Sequence, residues 1–420
     1  MIKILVFISI IASMIGSASI LAIDLGVIQL SLFRVSILLL LLYMTIKILI
    51  MDKKIRINNI SANGYSIKFM FIWVVYAFFS LGWVKDYNSW IRAMFFLCTG
   101  LVVYIIYSIY LISKYDVLKV FKVISIMVLI HNVLGWYEIN TGNYLFLSVD
   151  KIAKYSRLSH PVSAFGNTND FSTFMLFSFW VTYICLVNSR TYLMKIINLL
   201  LMISSVLLII STASRANLLG LLLSVMILIV LYIKRKRATN TLLVLLFLLG
   251  VVFVIVLLNP VVVNSIFVSV NENLNFNFSS EGGSDSVRIN LIKNGLSFLI
   301  STFGFGVGAG NIEHWMSHET IYSTGGVFNL HNWWLEILVG YGLIIFVMYL
   351  VFYVKLFKNI YRKFKYSTNK MDISISLGII CFMVGYVIGS ISSSSNISSE
   401  WLWVFWGIAI AYQGIEIDSI

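Results

Sequence analysis

Apolar runs of about 20 residues, the length a helix needs to cross the hydrocarbon core of a bilayer, recur along the whole chain between short polar breaks. Twelve are read, at about 4–23, 27–50, 67–84, 91–112, 117–137, 170–188, 195–212, 216–233, 241–263, 333–354, 373–392 and 400–414. The runs 195–212 and 216–233 are parted only by Thr212-Ala213-Ser214-Arg215. The first, with Lys3 ahead of its apolar stretch, resembles a signal peptide but is read as a retained first helix. The expectation is an all-α integral membrane protein, one polytopic domain over 1–420 with about twelve transmembrane helices.

Two breaks are long, at 138–169 and 264–332. Loops of that length are uncommon unless they carry function. The second opens on an asparagine-rich stretch from Asn271 to Ser284 that reads as solvated loop. Ser284-Asp285-Ser286 then caps a helix expected over about 286–302, its apolar stripe formed by Val287, Leu291, Gly295, Leu296 and Leu299. Such a helix lies along the bilayer surface or against the bundle. It ends in Phe303-Gly304-Phe305-Gly306-Val307-Gly308-Ala309-Gly310-Asn311, where glycines let backbone amides approach a ligand or simply make a turn.

Composition agrees with the pattern and excludes a soluble enzyme: 60% of the 420 residues are hydrophobic and 11% are charged, too little polar surface to coat a water-soluble domain. Cys98, Cys185 and Cys381 stand alone in apolar stretches and read as packing residues. The net charge of +13 is a topology signal. Twenty-one of the 30 basic residues, Lys3 and Lys47 among them, fall at alternate breaks or on the same side, which assigns those breaks and both termini to the cytoplasm. Clusters such as Lys234 to Arg237 flank helices, where anionic lipid is the natural partner, so no nucleic-acid partner is expected. Both long breaks then lie outside, and so should the chemistry.

The basic residues left outside the cytoplasmic face are Arg34, Lys85, Arg92, Lys151, Lys154, Arg157, Arg215, Arg288 and Lys293. An arginine at the edge of a membrane needs a partner or water. Arg215, in a very short break, is placed to point into the bundle, and its planar fork suits phosphate oxygens; Arg157 and Arg288 come next, ahead of Arg34 and Arg92. The alternative for each is snorkelling or pairing with an acid. His314 and His318, four apart beside Glu313 and Glu319, match no zinc motif, and no metal or other cofactor is expected.

Ser163-Ala164-Phe165-Gly166-Asn167-Thr168-Asn169-Asp170, Ser211-Thr212-Ala213-Ser214-Arg215, Arg288 followed by Gly304-Phe305-Gly306-Val307-Gly308, and His331-Asn332, set in this order among a dozen helices, resemble the O-antigen polymerase and O-antigen ligase superfamily over roughly 65–355. The ligase branch's His-Asn, nine residues and Gly-x-x-Gly is met by His331-Asn332 and Gly342, with Ile345 at the closing position.

The resemblance implies a metal-independent inverting glycosyltransferase of the bacterial cytoplasmic membrane. It acts on donor and acceptor oligosaccharides carried by undecaprenyl diphosphate, with membrane lipids and a chain-length regulator as further partners. Polymerase action is the first reading, with ligase and flippase as alternatives. Arg215, Arg288 and Arg157 would offset charge on the departing diphosphate. His331 is the first choice for general base, with Glu336 one turn on as the alternative. Asn169 and Asn332 bind sugar hydroxyls or cap helices, and Trp333, with Trp315, Trp334, Tyr322 and Phe328, stacks on sugar faces or belongs to an interfacial aromatic belt.

Overall fold

In the computed structural model the described residues are 2–15, 23–49, 62–146, 160–235, 284–394 and 396–416. They are almost wholly helical: α1 Ile2–Met14, α2 Leu32–Leu49, α3 Gly64–Phe79, α4 Tyr87–Tyr110, α5 Lys114–Thr141, α6 Thr168–Asn188, α7 Tyr192–Ser211, α8 Arg215–Lys234, α9 Ser284–Ser301, α10 Ile312–His318, α11 Trp333–Tyr366, α12 Lys370–Gly389 and α13 Glu400–Gly414. A two-rung antiparallel ribbon pairs β1, Ile23–Asp24, with β2, Gln29–Leu30.

Among the described residues, eight helices are long and apolar enough to cross a membrane: α3 to α8, α11 and α12. Each coincides with an expected run. The runs at 4–23, 27–50 and 400–414 are represented by α1, α2 and α13, whereas 241–263 lies outside the described residues. Helix starts follow sequence-legible caps, which occupy amides that a first turn leaves without intrahelical partners. Asp86 caps α4 and Asn167 caps α6, each accepting from the amide two residues on, and Asn369 does the same for α12.

The chain forms two compact units, one of residues 1–120, 277–363 and 393–420, the other of 121–276 and 364–392. In the first, α4 packs on α13 and α3, and α1 on α2. Its core is aromatic: Trp73 meets Tyr341 edge-on at 5.3 Å and Tyr349 at 5.8 Å, and Phe69 stacks on Phe352 at 5.0 Å. In the second, α6 packs on α7 and α12, and α12 on α8. There Gly220 of α8 faces Gly385 of α12 so closely that a Cβ on Gly220 would sit 2.5 Å from the Gly385 carbonyl oxygen. Gly385 and Gly389, four apart, form the small-residue face that lets membrane helices approach backbone to backbone.

The loop helix α9 forms as expected and turns part of the anticipated stripe inward, with Leu291 and Gly295 buried and Val287 packed against the same core, but its buried face extends beyond that stripe on one side. Leu291, Asn294 and Phe298 are buried, whereas Leu296 is 41% exposed. Asn294 accounts for the difference. Its Oδ1 accepts from the amides of Ile321 and Tyr322 at 3.0 and 2.9 Å, and its Nδ2 donates to the Tyr322 carbonyl at 2.8 Å. A fully buried amide side chain holding three backbone groups fixes the face that points inward. Leu291 and Phe298 then join Val307, Met316, Leu330 and Val339 in a small core, with Trp315 packed beside it.

Candidate functional site

The glycine-rich turn after α9 is a structural joint. Helix α11 is broken at Gly342, whose φ of 77° and ψ of 176° interrupt the helical ladder. The Val339 and Gly340 carbonyls are instead met by the amides of Val307 and Gly308 at 2.8 and 3.0 Å, while the Leu343 amide donates to the Gly304 carbonyl at 2.9 Å. A broken helix is tolerated in a membrane protein when neighbouring groups take over the freed backbone bonds, and here the turn supplies them. The Ala309 amide goes to Ser80 Oγ at 3.1 Å, and Trp83 Nε1 and Tyr76 OH donate to the Gly306 and Phe305 carbonyls at 3.0 and 2.6 Å. The amides of Val307, Gly308 and Ala309 are therefore committed to the protein.

Asn311 completes the joint. Its Oδ1 accepts from the amides of Lys85 and Asp86 at 2.9 and 2.7 Å, and its Nδ2 donates to the Asp86 and Ala309 carbonyls at 3.1 and 3.0 Å. Asp86 in turn accepts from Ser89 Oγ at 2.6 Å and the Asn88 amide at 3.0 Å. The Ser89 hydroxyl, ahead of the other hydrogen bonds and the Arg92 charge, holds the Asp86 carboxyl below its ordinary pKa.

Around this joint lie two adjoining cavities of the first unit, sharing Ala93, Gly310, Glu313 and Ile397. The larger, about 330 Å³, is lined by Arg34, Arg92, Gln29 and Ser89. The smaller, about 80 Å³, is lined by Trp333, Glu336, Asn329 and Tyr341. Arg34 is buried: its Nε meets Glu400 Oε1 at 2.9 Å, and its guanidinium lies over the Phe96 ring at 4.8 Å and donates to the Gln29 carbonyl. Ser31 Oγ also donates to Glu400 Oε1, at 2.5 Å. Arg92 is exposed and donates to Ser89 Oγ at 3.0 Å. Arg34, paired with Glu400, and Arg92 thus line this space together with the carboxylates Glu313 and Glu336, an arrangement that offers Arg92 to an anion beside groups that accept protons.

Of the expected site residues, His331, Asn332, Trp333 and Glu336 stand together at the start of α11. His331 has φ 50° and is half-buried, with its amide donated to Asn329 Oδ1 at 2.8 Å. Asn332 is the cap, its Oδ1 accepting from the Trp334 and Leu335 amides at 3.1 and 3.3 Å. Trp333 is 3% exposed and donates from Nε1 to Tyr349 OH at 2.9 Å. Glu336 is buried at 7% exposure. Arg288, on α9 of the same unit, is exposed.

Asn169 and Arg215 belong to the second unit, where they begin α6 and α8. The Asn217 side chain links these ends, donating to the Asn169 carbonyl at 3.4 Å and to Ser214 Oγ at 3.0 Å. Asn167, two residues before Asn169, provides the α6 cap. Arg215 is half-buried. Arg157 lies outside the described residues. His314 and His318 stack at 4.4 Å, and Glu319 pairs with Lys85 at 2.7 Å.

The sequence ranked Arg34 and Arg92 low because their run and break look like any other. The ribbon Ile23–Leu30 and the α3–α4 turn bring them into one cavity. The available signal was Arg34 itself, a charged residue inside the otherwise mostly apolar run 27–50.

Residues 199–350 match the sequence model of a family described as O-antigen ligase. The chain is also 29% identical to the teichuronic acid biosynthesis protein TuaE of Bacillus subtilis (strain 168), over 85% of this chain and 72% of that protein. The matched segment contains Arg215, Arg288, the glycine-rich turn, His331 and Gly342.

Proposed function

Proceeding from the likeness to O-antigen ligases and to a teichuronic acid biosynthesis protein, we propose that this chain is a membrane glycosyltransferase of surface-polysaccharide biosynthesis. Its substrates are oligosaccharides on undecaprenyl diphosphate, and its reaction is polymerisation: the growing glycan passes from its lipid diphosphate to the non-reducing end of a new lipid-linked unit. The observation that supports the reading best is the connected pair of cavities in which Arg34 and Arg92 line the same space as Glu313 and Glu336. These cavities lie at the starts of α4 and α11, helix ends that the distribution of Lys and Arg assigns to the outside of the cytoplasmic membrane.

In the proposed step an acceptor hydroxyl attacks the anomeric carbon, its proton passes to His331 or Glu336, and the bond to the diphosphate oxygen breaks. Attack opposite the leaving group inverts the anomeric centre. Charge gathers on the departing diphosphate, and guanidinium groups positioned beforehand stabilise it most where water is excluded. Arg92 joins Arg215, Arg288 and Arg157 as candidates for that role. Arg34, neutralised by Glu400, shapes the cavity and orients its neighbours. Asn169, Asn332 and Trp333 remain the candidates for sugar contact, with Trp333 among the residues that line the smaller cavity.

The description of the matching family favours a second reading, transfer of finished glycan to another acceptor. The same donor chemistry serves both. Reconstitution of the purified protein with lipid-linked repeat units, with product length read on a gel, tests the proposal. A ladder of long lipid-linked chains is expected. Single units joined only to an added non-lipid acceptor would establish the ligase. Units moved across the bilayer without any new glycosidic bond would overturn the glycosyltransferase reading.

A further inference from the structure

The second unit contains a cavity of about 510 Å³, bounded by α5, the α6–α7 turn and α7. Its wall is apolar along Ile126, Leu129, Met194, Ile197 and Leu201, and its mouth carries Lys122 and Arg190, both exposed. No carboxylate lines it. Two of the polar side chains that line it already have partners: Ser125 Oγ donates to Asn198 Oδ1 at 3.0 Å, and Asn198 Nδ2 donates to the Met194 carbonyl at 2.7 Å. Asn169 stands at the opposite end of α6, about 30 Å away at 1.5 Å per residue. The cavity is therefore separate from the residues discussed above, at the end that the charge asymmetry assigns to the cytoplasm.

Two cations above a hydrocarbon-lined slot are complementary to one class of molecule, an amphiphile with an anionic phosphate head and an acyl chain. Neither half of the site suffices: an inorganic anion leaves the apolar wall wet, and a zwitterionic lipid brings a positive group to the same mouth. We propose that this cavity is a binding site for an anionic glycerophospholipid of the inner leaflet, with the phosphate between Lys122 and Arg190 and one chain lying along Ile126, Leu129 and Leu201. Basic pockets between transmembrane helices on this side of a bilayer favour such head groups. Lipid held here takes no part in the proposed transfer reaction.

The test is native mass spectrometry of the full chain released from detergent with phosphatidylglycerol, phosphatidylcholine of the same chains, a polyprenyl monophosphate, or inorganic phosphate. One retained phosphatidylglycerol per chain is expected, in preference to phosphatidylcholine and with no retention of inorganic phosphate. The double variant Lys122→Gln/Arg190→Gln should weaken retention about thirtyfold, from the loss of two surface charges near a lipid head group. A second variant, Ile197→Trp, fills the slot without changing charge and should also expel the lipid. Equal retention of the two phospholipids, unchanged retention in the double variant, or preferential retention of the polyprenyl monophosphate would each overturn the assignment.

Discussion

Arg34 and Glu400, from opposite ends of the chain, form an ion pair at 2.9 Å in which both side chains are nearly inaccessible, 5% and 3% exposed. The pair ties α2 to the start of α13 beside the larger cavity. Removing one partner leaves a charge with no counter-ion in a site that water reaches poorly, which costs about 3–5 kcal/mol in buried pairs. Arg34→Ala and Glu400→Ala should therefore each lower the detergent thermal midpoint sharply. Arg34→Met with Glu400→Gln should recover most of the loss. A double variant as unstable as the singles would show that the charges themselves, and not their mutual neutralisation, hold the two helices.

Gly342 has no room for a side chain: a Cβ there would lie 2.5 Å from the carbonyl oxygens of both Gly304 and Phe305, on a backbone already at φ +77°. Gly342→Ala should separate the glycine-rich turn from the α11 break, lowering the amount of folded protein in the membrane and exposing the Val339 and Gly340 carbonyls. Gly82→Ala, where nothing lies within 4 Å and φ is unremarkable, is the control and should change stability by less than about 1 kcal/mol. Comparing detergent-extracted folded yield for the two variants decides the matter.

His331 combines an unusual backbone with a candidate chemical role, and the two can be tested apart. Asparagine tolerates the left-handed region better than most residues, so His331→Asn should keep the α11 entry and the thermal midpoint while removing the imidazole. If His331 is the general base, product formation in the reconstituted assay falls by about a hundredfold or more. Glu336→Gln keeps the shape of the smaller cavity and removes its carboxylate. The variant that loses the greater share of activity with unchanged midpoint identifies the base.

Asp86 makes the joint acid-sensitive. Its pKa is depressed, chiefly by the Ser89 hydroxyl. A group depressed in the folded state contributes stability that is complete above its unfolded value, about 3.9, and is lost as pH falls through the folded value. Thermal stability should therefore fall below about pH 4. Asp86→Asn should flatten that fall and lower the neutral midpoint modestly, since asparagine keeps the cap but its amide nitrogen cannot accept from Ser89 Oγ.

Along the chain, hydrophobic run length alone identified eight helices that the structure shows long and apolar enough to span a membrane, because a bilayer imposes one length on every crossing. Asp86 and Asn369 begin their helices for a similarly local reason, since a cap needs only the next two residues, although the apolar runs read from sequence began later, at 91 and 373. The face of α9 could be read this way only in part: Val287, Leu291 and Gly295 turn inward, whereas Leu296 does not. Leu296 and Leu299 fit an apolar stripe as well as Phe298 does, and the choice was made by Asn294 bonding to residues 321 and 322, far along the chain. The glycine-rich turn was legible as a turn, yet its partner, the break at Gly342, depends on which carbonyls come within reach of its amides. The cavity containing Arg34 and Arg92 likewise had no local signature. Side-chain type and spacing are properties of a neighbourhood in sequence, and they fixed the membrane class and the helix ends; which charges share a space depends on how distant segments pack, and that was decided only when the helices came together.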